Sequence, residues 1–339
     1  MTDRLPEDLA GALRRVGLLR HDVVPHAERL TGGVSSDIWR VDLPSGPVCA
    51  KRALARLRVT AEWRAPVERN LYEARWMRRA GAAVPGSAPA VLGHDPATGT
   101  LVMEYLPEAT HKLWKPLLRD GHTDPDFAAS VGYAVARIQS ASATDLSAPS
   151  DFASDAIFHA IRLEPYLLAT AERHPDLADA LGDLVATTMA TKRALVHGDV
   201  SPKNILVGPR GPVFLDAECA WWGDPAFDIA FCLNHLLLKC LWTPHARAGF
   251  LACFEALSGA YLACVDWEEE AGLEARAARL LPGLLLARVD GKSPAEYITR
   301  KAQQDRVRRV GRALLLQPVD QLGAVLAAWE HELAKGEGG

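Results

Sequence analysis

The first hundred residues alternate between helical and β-type hydrophobic spacing. Residues 6–20 predict a short amphipathic helix. The stretches AERLTGGVSSDIWRVDL and GPVCAKRAL are β-like and are interrupted by turn residues. A second helix is predicted over residues 65–80, with an apolar side formed by Val67, Leu71, Ala74 and Met77. Two more strands are predicted in PAVLGHDPATGTLVMEYL, so this region should be a small antiparallel sheet with one main helix.

The pattern changes after Leu106-Pro107. Residues 126–143 and 151–192 are rich in Ala and Leu and predict helices, and the chain is again almost entirely helical in pattern from Asp224 onward. Between them, residues 195–216 hold two short β-like runs. We therefore predict an α+β protein with two parts, residues 1–106 and residues 107–339.

Composition narrows the class of protein. The chain has 339 residues, of which 49% are hydrophobic and 24% charged, as in globular domains. The net charge of −4 argues against nucleic-acid binding. No apolar run reaches the roughly 20 residues of a membrane helix, and the first residues lack the pattern of a signal peptide. The six cysteines form no C-x-x-C pair, so we expect free thiols, a cytoplasmic protein and no membrane contact.

The run LVHGDVSPKNILV, residues 195–207, carries the strongest candidate chemistry. Asp199 and Asn204 lie between two apolar flanks, and Asp216 ends the next β-like run. Two carboxylates and an amide at the ends of neighbouring strands can hold Mg²⁺, which prefers oxygen ligands. The alternative is a polar turn in a hairpin. The order and spacing of the full set favour the metal site.

These motifs resemble the aminoglycoside phosphotransferase and choline kinase family of small-molecule kinases. The similarity rests on H-G-D-x-x-x-x-N at 197–204 and on LDAE at 215–218, and extends over about residues 25–235. Protein kinases usually have Arg at the position of Gly198 and D-F-G at the position of residues 216–218. The resemblance implies a two-lobed protein-kinase-like fold, with an N-lobe of residues 1–106 and a C-lobe of residues 107–339. It also implies ATP-dependent γ-phosphoryl transfer to a small-molecule hydroxyl.

The resemblance assigns roles to the motif residues. Asp199 would take the hydroxyl proton, while Asn204 and Asp216 would hold Mg²⁺. Lys203 would touch the γ-phosphate or simply face solvent. His197 would hold the loop, Asp228 would anchor its backbone, and Glu218 would lie beside the metal ligands.

Other parts of the expected nucleotide site lie before residue 107. The segment with Gly32, Gly33, Ser35 and Ser36 occupies the position of a phosphate-covering loop, although G-x-G-x-x-G is absent. Lys51 lies on a predicted apolar strand and would contact phosphates and a helix glutamate. We choose Glu73 as that glutamate, with Glu68 and Glu62 as rivals; alternatively, Glu73 would merely pair with Arg69.

The hinge between the lobes is expected at Glu104–Leu106. Backbone groups there would contact the adenine edge, so the sequence does not separate ATP from GTP.

The acceptor site is the weakest part of the prediction. Candidates are Trp221, Trp222, Arg288, Asp290 and Lys292. The segment DGKSP, residues 290–294, is not a P-loop, because the required earlier glycine is Leu286. We expect a sugar, amino alcohol or amino acid as acceptor, with an antibiotic-resistance aminoglycoside kinase and a non-catalytic nucleotide-binding regulator as alternatives. No protein partner is implied.

Overall fold

The structure is a computed structural model and describes residues 5–30, 36–54 and 68–335. Its first part contains a five-stranded antiparallel sheet in the order β1-β2-β3-β5-β4. The elements are α1 (Glu7–Arg15), β1 (His26–Arg29), β2 (Ser36–Leu43), β3 (Gly46–Ala53), α2 (Arg69–Ala83), β4 (Val91–Asp95) and β5 (Thr100–Glu104). This is the small sheet with one main helix that the hydrophobic pattern predicts.

The two faces of this sheet pack against different helices. Val48, Ala50 and Val102 join α1 in one apolar cluster. Cys49 and Leu101, which point to the opposite face, belong to the large core that includes α2 and continues into the rest of the molecule. Side chains therefore alternate between an outer and an inner face, and the inner face is the one that positions functional residues.

The second part of the chain is mainly helical. Its helices are α3 (Trp114–Arg119), α4 (Pro125–Ala143), α5 (Ala148–Asp151), α6 (Asp155–Phe158), α7 (Ala169–Arg173), α8 (Ala178–Ala190), α9 (Ala226–Trp242), α10 (Arg247–Leu262), α11 (Glu270–Asp290), α12 (Lys301–Leu316) and α13 (Leu322–Ala334). A π-helical segment spans His159–Leu168, so the predicted helix over 151–192 is several shorter pieces. Helix α9 is buried from Ala226 to Leu241 and packs against α10 and α11.

Short strands before α3 and between α8 and α9 form two further sheets around the polar motif. They are β6 (Lys112–Leu113), β7 (Ala194–Val196), β8 (Ile205–Gly208), β9 (Gly211–Phe214) and β10 (Trp221–Gly223). Strands β6, β8 and β9 form one sheet, and β7 pairs with β10. Because β5 and β6 belong to different sheets, the chain passes from the first part of the molecule to the second between residues 104 and 112. The exact division at residue 106 stays a prediction.

Within the described ranges, no single helix is both long and apolar enough to cross a membrane. Helix α9 and residues 244–262 meet those criteria only as a pair that is bent by 120°.

Candidate active site

The polar motif, residues 195–207, forms a loop whose backbone is held by a side chain of α9. It runs from the end of β7 through a 3₁₀ turn at Pro202–Asn204 into β8. The Asp228 carboxylate accepts the backbone N–H groups of His197 and Gly198, both at 2.8 Å, and the Gln139 amide at 3.2 Å. Burial raises the pKa of Asp228 to about 7 even though these donors favour its ionised form. Asp228 therefore holds the backbone of the loop in place through its carboxylate.

Gly198 is required by the shape of this loop. Its φ is +79°, and a Cβ there would lie 2.8 Å from the Cys219 carbonyl oxygen. A side chain at this position would suffer both backbone strain and a clash with fixed backbone. The glycine that distinguishes H-G-D from the protein-kinase pattern therefore allows the loop to pack closely on the segment after Asp216.

Asp199 is 3% exposed and is held by two cations. Its Oδ2 lies 2.8 Å from Arg162 Nη2 and 3.0 Å from Lys203 Nζ, and its Oδ1 accepts Ser201 Oγ at 3.2 Å. Burial alone would raise the pKa of Asp199, but the charges of Lys203 and Arg162 outweigh it and hold the pKa well below its usual range. The carboxylate is therefore ionised and fixed in orientation.

Arg162 was not among the sequence-based candidates. It lies on the π-helical segment, is buried, and donates through Nε to the Gly198 carbonyl as well as pairing with Asp199. The stretch FHAIRLEPYLL does not show which way the side chain of Arg162 points, because the residue spacing of a π-helix differs from that of an α-helix.

Lys51 connects the sheet to the polar loop. Its Nζ lies 2.8 Å from Glu73 Oε1 on α2 and also contacts Asp216 Oδ1. Burial would lower the pKa of Lys51, but Asp216 and Glu73 raise it overall, so the ammonium stays charged. The structure thus pairs Lys51 with Glu73, the glutamate that we chose.

The rival glutamates do not take this place. Glu68 is exposed before the first turn of α2, and Glu62 lies outside the described residues. Arg69, the alternative partner of Glu73, instead donates to Glu218 at 2.8 Å. Glu218 is therefore engaged with α2, next to Asp216 along the chain but in an ion pair of its own.

Asn204 and Asp216 lie at the same end of the β8–β9 hairpin. Ile205 pairs with Phe214, and the Leu215 N–H donates to the Asn204 carbonyl at 2.8 Å, so Leu215 lies opposite Asn204 and Asp216 is the next residue. Asp216 has φ +65°, a conformation that non-glycine residues rarely adopt outside functional sites.

These two side chains fit a magnesium site. Asn204 Nδ2 donates a hydrogen bond to the Asp199 carbonyl. The amide oxygen of Asn204 is therefore the atom that is available to bind a metal ion. The charges of Lys51 and Lys203 overcome burial and lower the pKa of Asp216, so it is ionised. The described residues contain no cluster of three His, Cys, Asp or Glu side chains that could enclose a metal. One carboxylate and one amide suit Mg²⁺, which keeps positions for waters and phosphates.

The remaining nucleotide-site candidates are only partly described. Gly32, Gly33 and Ser35 lie outside the described residues, and Ser36 is buried at the start of β2. Glu104 ends β5, where its N–H donates to the Ala90 carbonyl at 2.8 Å and its carboxylate accepts the Ala90 N–H. The extended residues up to Leu106 follow. The roles predicted for these residues stay predictions.

A cavity of about 180 Å³ opens beside Asp199. Its lining brings together the polar loop and three helices, α3, α9 and α11. The side chains that matter most are Asp199, Lys203, Phe231, His235, Lys239 and Arg288. Asp199 therefore lies at the wall of a cavity that is large enough for a small molecule.

Only one of the predicted acceptor residues, Arg288, lines this cavity. The side chain of Trp221 is fully buried and stacks on Phe158 with ring centres 4.1 Å apart, so it does not line this cavity and its acceptor role stays a prediction. Trp222, the next residue of β10, is partly buried against the core and does not line the cavity. Strand β10 places both rings in the packing around β7.

Asp290 and Lys292 also lie away from the cavity lining. Asp290 accepts hydrogen bonds from Arg308 Nε and Nη2 and from His174 Nε2. Lys292 forms an ion pair with Glu164 near the surface. Because α11 ends at Asp290, these side chains are directed toward α7, α12 and the π-helical segment, and their acceptor roles stay predictions.

Sequence reasoning missed the contribution of α9 to the cavity. Phe231, His235 and Lys239 are spaced four residues apart and all line it. A signal was present: the helix AFDIAFCLNHLLLKCLW is apolar except for a few polar residues, and a lysine in such a helix requires an explanation.

Comparison with known proteins identifies the family. Residues 26–273 match the APH group, described as the phosphotransferase enzyme family, which is well over half of the chain. The chain belongs to this family. A methylthioribose kinase of Pectobacterium atrosepticum is 24% identical over 275 residues, which cover 72% of the chain and 66% of that protein's length. The chain thus spans slightly less than two thirds of this relative.

Solved structures that are similar to this chain share its fold. The choline kinase of Cryptosporidium parvum has a TM-score of 0.53 at 11% identity and covers 94% of this chain and 99% of its own. The amicoumacin kinase hAmiN, in complex with AMP-PNP, Ca²⁺ and Ami, has a TM-score of 0.53 at 14% identity, with 91% and 94% covered. The predicted family and the kinase-like α+β fold are confirmed.

Proposed function

We propose that this phosphotransferase is a small-molecule kinase that transfers the γ-phosphoryl group of ATP to an acceptor hydroxyl. The observation that carries the proposal is the arrangement around the loop. Asp199 lines the cavity, the oxygen donors of Asn204 and Asp216 lie at one end of the β8–β9 hairpin, and Lys51 reaches Asp216 from the sheet. The confirmed family and the kinases that resemble this chain support the same reaction.

In this proposal the nucleotide lies between the sheet and the polar loop. Glu73 holds Lys51, whose ammonium balances the charge of the nucleotide phosphates. Asn204 and Asp216 hold Mg²⁺, which offsets phosphate charge when it is bound. Gly32, Gly33, Ser35 and Ser36 cover the phosphates, and the backbone from Glu104 to Leu106 contacts the base. We infer ATP as donor, and GTP is compared in the experiment below.

Asp199 orients the acceptor hydroxyl. The hydroxyl oxygen forms a bond to the γ-phosphorus, the bond from that phosphorus to the bridging oxygen of ADP breaks, and the hydroxyl proton passes to Asp199. The low pKa of this carboxylate suits a loose transition state, in which the hydroxyl keeps its proton until late. Lys203, half exposed beside Asp199, stabilises the phosphoryl group during transfer.

The experiment measures ADP or GDP formation with Mg²⁺ and a panel of sugars, amino alcohols, amino acids and aminoglycosides. Asp199→Asn should bind nucleotide as the wild type does but lose about 10²- to 10⁴-fold in turnover, because the hydroxyl is no longer oriented or deprotonated. Asp320→Asn is the matched control, since Asp320 is an exposed partner of Arg279.

Two outcomes contradict the proposal. Near-wild-type turnover of Asp199→Asn on the true acceptor would remove Asp199 from its role. Tight nucleotide binding with no turnover on any panel member would indicate a nucleotide-binding regulator. We extend the proposal to the cytoplasm, the compartment that the composition predicts, with nucleotide and acceptor as its partners.

A further inference from the structure

The cavity has a positively charged end away from Asp199. Phe231, His235 and Lys239 follow one face of α9 at successive four-residue steps, so they span about 12 Å along the helix axis. The start of α9 anchors the polar loop through Asp228, which places Phe231 nearest to that loop and Lys239 farthest from it.

Lys239 is buried without a carboxylate partner. It is 1% exposed, and no hydrogen bond or ion pair joins its Nζ to any described residue. Instead, Nζ lies 4.3 Å from the Trp242 ring centre and 4.2 Å from that of Tyr297, two rings that stack on each other. The rings attract the ammonium only in part, because the negative faces of aromatic rings replace little of its lost hydration.

Arg288, on α11, adds a second cation at this end. It is 8% exposed, its Nη1 donates to the carbonyl and hydroxyl of Ser293, and its Nε has no hydrogen-bond acceptor among the described residues. One carboxylate lies nearby, Glu296, and it is already bonded to Lys115 on α3. Three cations therefore share one acid at this end of the cavity.

The electrostatics agree with this geometry. Burial, together with the positive charges of Lys115 and Arg288, lowers the pKa of Lys239 to about 7, and the negative charge of Glu296 compensates only in part. A lysine in this condition is stabilised when an anion enters the cavity and pairs with it.

We infer that Lys239 and Arg288 form an anion-binding subsite, so that the acceptor is a small hydroxy compound with a carboxylate or phosphate group. The inference rests on the proposed kinase function. In this arrangement the anionic group lies at the far end of the cavity, and the hydroxyl points back to Asp199. A cavity of about 150 Å³ holds a benzene ring, so this one, at about 180 Å³, accommodates a single ring or a short chain.

The same charges exclude a polycation. An ammonium group placed beside Lys239 and Arg288 would face two cations that have no acid of their own, and like charges that are removed from water repel strongly. The subsite therefore selects against amino sugars and favours acids of similar size.

Binding is tested with four small compounds of matched size, in the presence of ADP and Mg²⁺. Glycerate and glycerol phosphate are the carboxylate and phosphate arms, glycerol is neutral, and serinol is cationic. Calorimetry should give about tenfold tighter binding of at least one anion than of glycerol, the size of a hydrogen-bonded charge pair. Which anion binds more tightly identifies the source of the negative charge.

Lys239→Met tests whether the subsite depends on this lysine. Methionine keeps the apolar stem but removes the charge, so the preference for anions should fall to the part that Arg288 supplies, while ADP binding is unchanged. Because an uncompensated buried charge is lost, the variant should be as stable as the wild type or more stable, whereas a purely structural lysine would leave it less stable. Lys301→Met, at an exposed ion pair with Asp305, is the control and should keep the preference.

Turnover on pools of hydroxy compounds sorted by charge completes the test. ADP formation with the anionic pool, lost in Lys239→Met, supports the inference; turnover confined to neutral or cationic pools overturns it. If no pool is turned over, the proposed function fails, and the calorimetry still decides: Lys239-dependent anion binding supports the subsite, and equal binding of all four compounds overturns it.

Discussion

The two ends of the cavity differ in whether their charged side chains are paired with other groups of the protein. Around the polar loop, ionised groups have partners within the protein: Asp199 has Arg162 and Lys203, and Lys51 has Glu73 and Asp216. At the far end, neither Lys239 nor Arg288 pairs with a carboxylate of any residue that the structure describes. A charged group that must keep one orientation through a reaction is held by partners within the protein. A charged group that recognises a ligand finds its partner in the ligand.

This difference also explains how the two ends are built. The loop is held by backbone contacts from Asp228 and by a glycine whose conformation no other residue adopts easily. The far end is assembled from side chains on α3, α9 and α11, with the residues after α11 closing one side. Changes at the loop should therefore alter turnover, and changes at the far end should alter acceptor affinity.

The largest effect is expected when the backbone of the loop is disturbed. Gly198→Ala introduces a Cβ 2.8 Å from the Cys219 carbonyl oxygen at φ +79°, so both strain and clash oppose it. We expect a loss of more than about 2 kcal/mol in the free energy of unfolding and near-complete loss of turnover. Thermal or urea unfolding and ADP formation measure the two effects.

Gly17 provides the matched control for this substitution. Its φ is +77°, but a Cβ there meets no atom within 4 Å. Gly17→Ala should therefore cost only the backbone strain, about 1 kcal/mol, and leave turnover unchanged. Equal destabilisation by the two substitutions would show that the contact with Cys219 does not matter.

A smaller effect is expected when one partner of Asp199 is removed. Arg162→Met takes away the 2.8 Å ion pair and the bond to the Gly198 carbonyl, so the carboxylate loses its fixed orientation. Turnover should fall about 10²-fold with little change in nucleotide affinity. The pKa of Asp199 should rise toward its usual range, and the acid limb of the pH–rate profile should move to higher pH. An unchanged acid limb would contradict the role of Arg162.

The smallest effect concerns pH at the far end. An anion pairs with protonated Lys239, whose pKa in the free protein is about 7, so the acceptor KM should rise by about tenfold in total as the pH increases above that value. A carboxylate acceptor is used, because it does not titrate there. The profile should be flat in Lys239→Met and unchanged in Lys301→Met; a flat wild-type profile would remove Lys239 from acceptor binding.

The neighbours of Lys239 do not explain such a profile. The pKa of His235 lies well below its usual value and that of Glu296 is lowered, so neither titrates near neutrality. Burial raises the pKa of Tyr297, and the remaining facing groups are Lys115 and Arg288. Between pH 7 and 10.5 the folded state binds fewer protons at Lys239 than the unfolded state. The free energy of unfolding should therefore rise with pH across this window, and less so in Lys239→Met.

The family, the kinase-like fold and the residues of the polar loop could be predicted from the amino-acid sequence. These are local features: Asp199, Lys203 and Asn204 share one short loop, and a tight β8–β9 hairpin brings Asp216 back to its end. Alternating side chains along β3 likewise placed Lys51 on a buried strand, because strand period is read directly from sequence.

Only the tertiary structure decided the rest. Helix phase and the π-helical segment direct Glu73 and Arg162 to their partners, and neither can be read from composition. The cavity joins Lys115, Lys239 and Arg288 from helices far apart in the chain, while α11 ends where Asp290 and Lys292 turn away. Chemistry that depends on residues close in sequence could be predicted from the sequence. Recognition of a ligand depends on which distant side chains come together, and this is determined by packing alone.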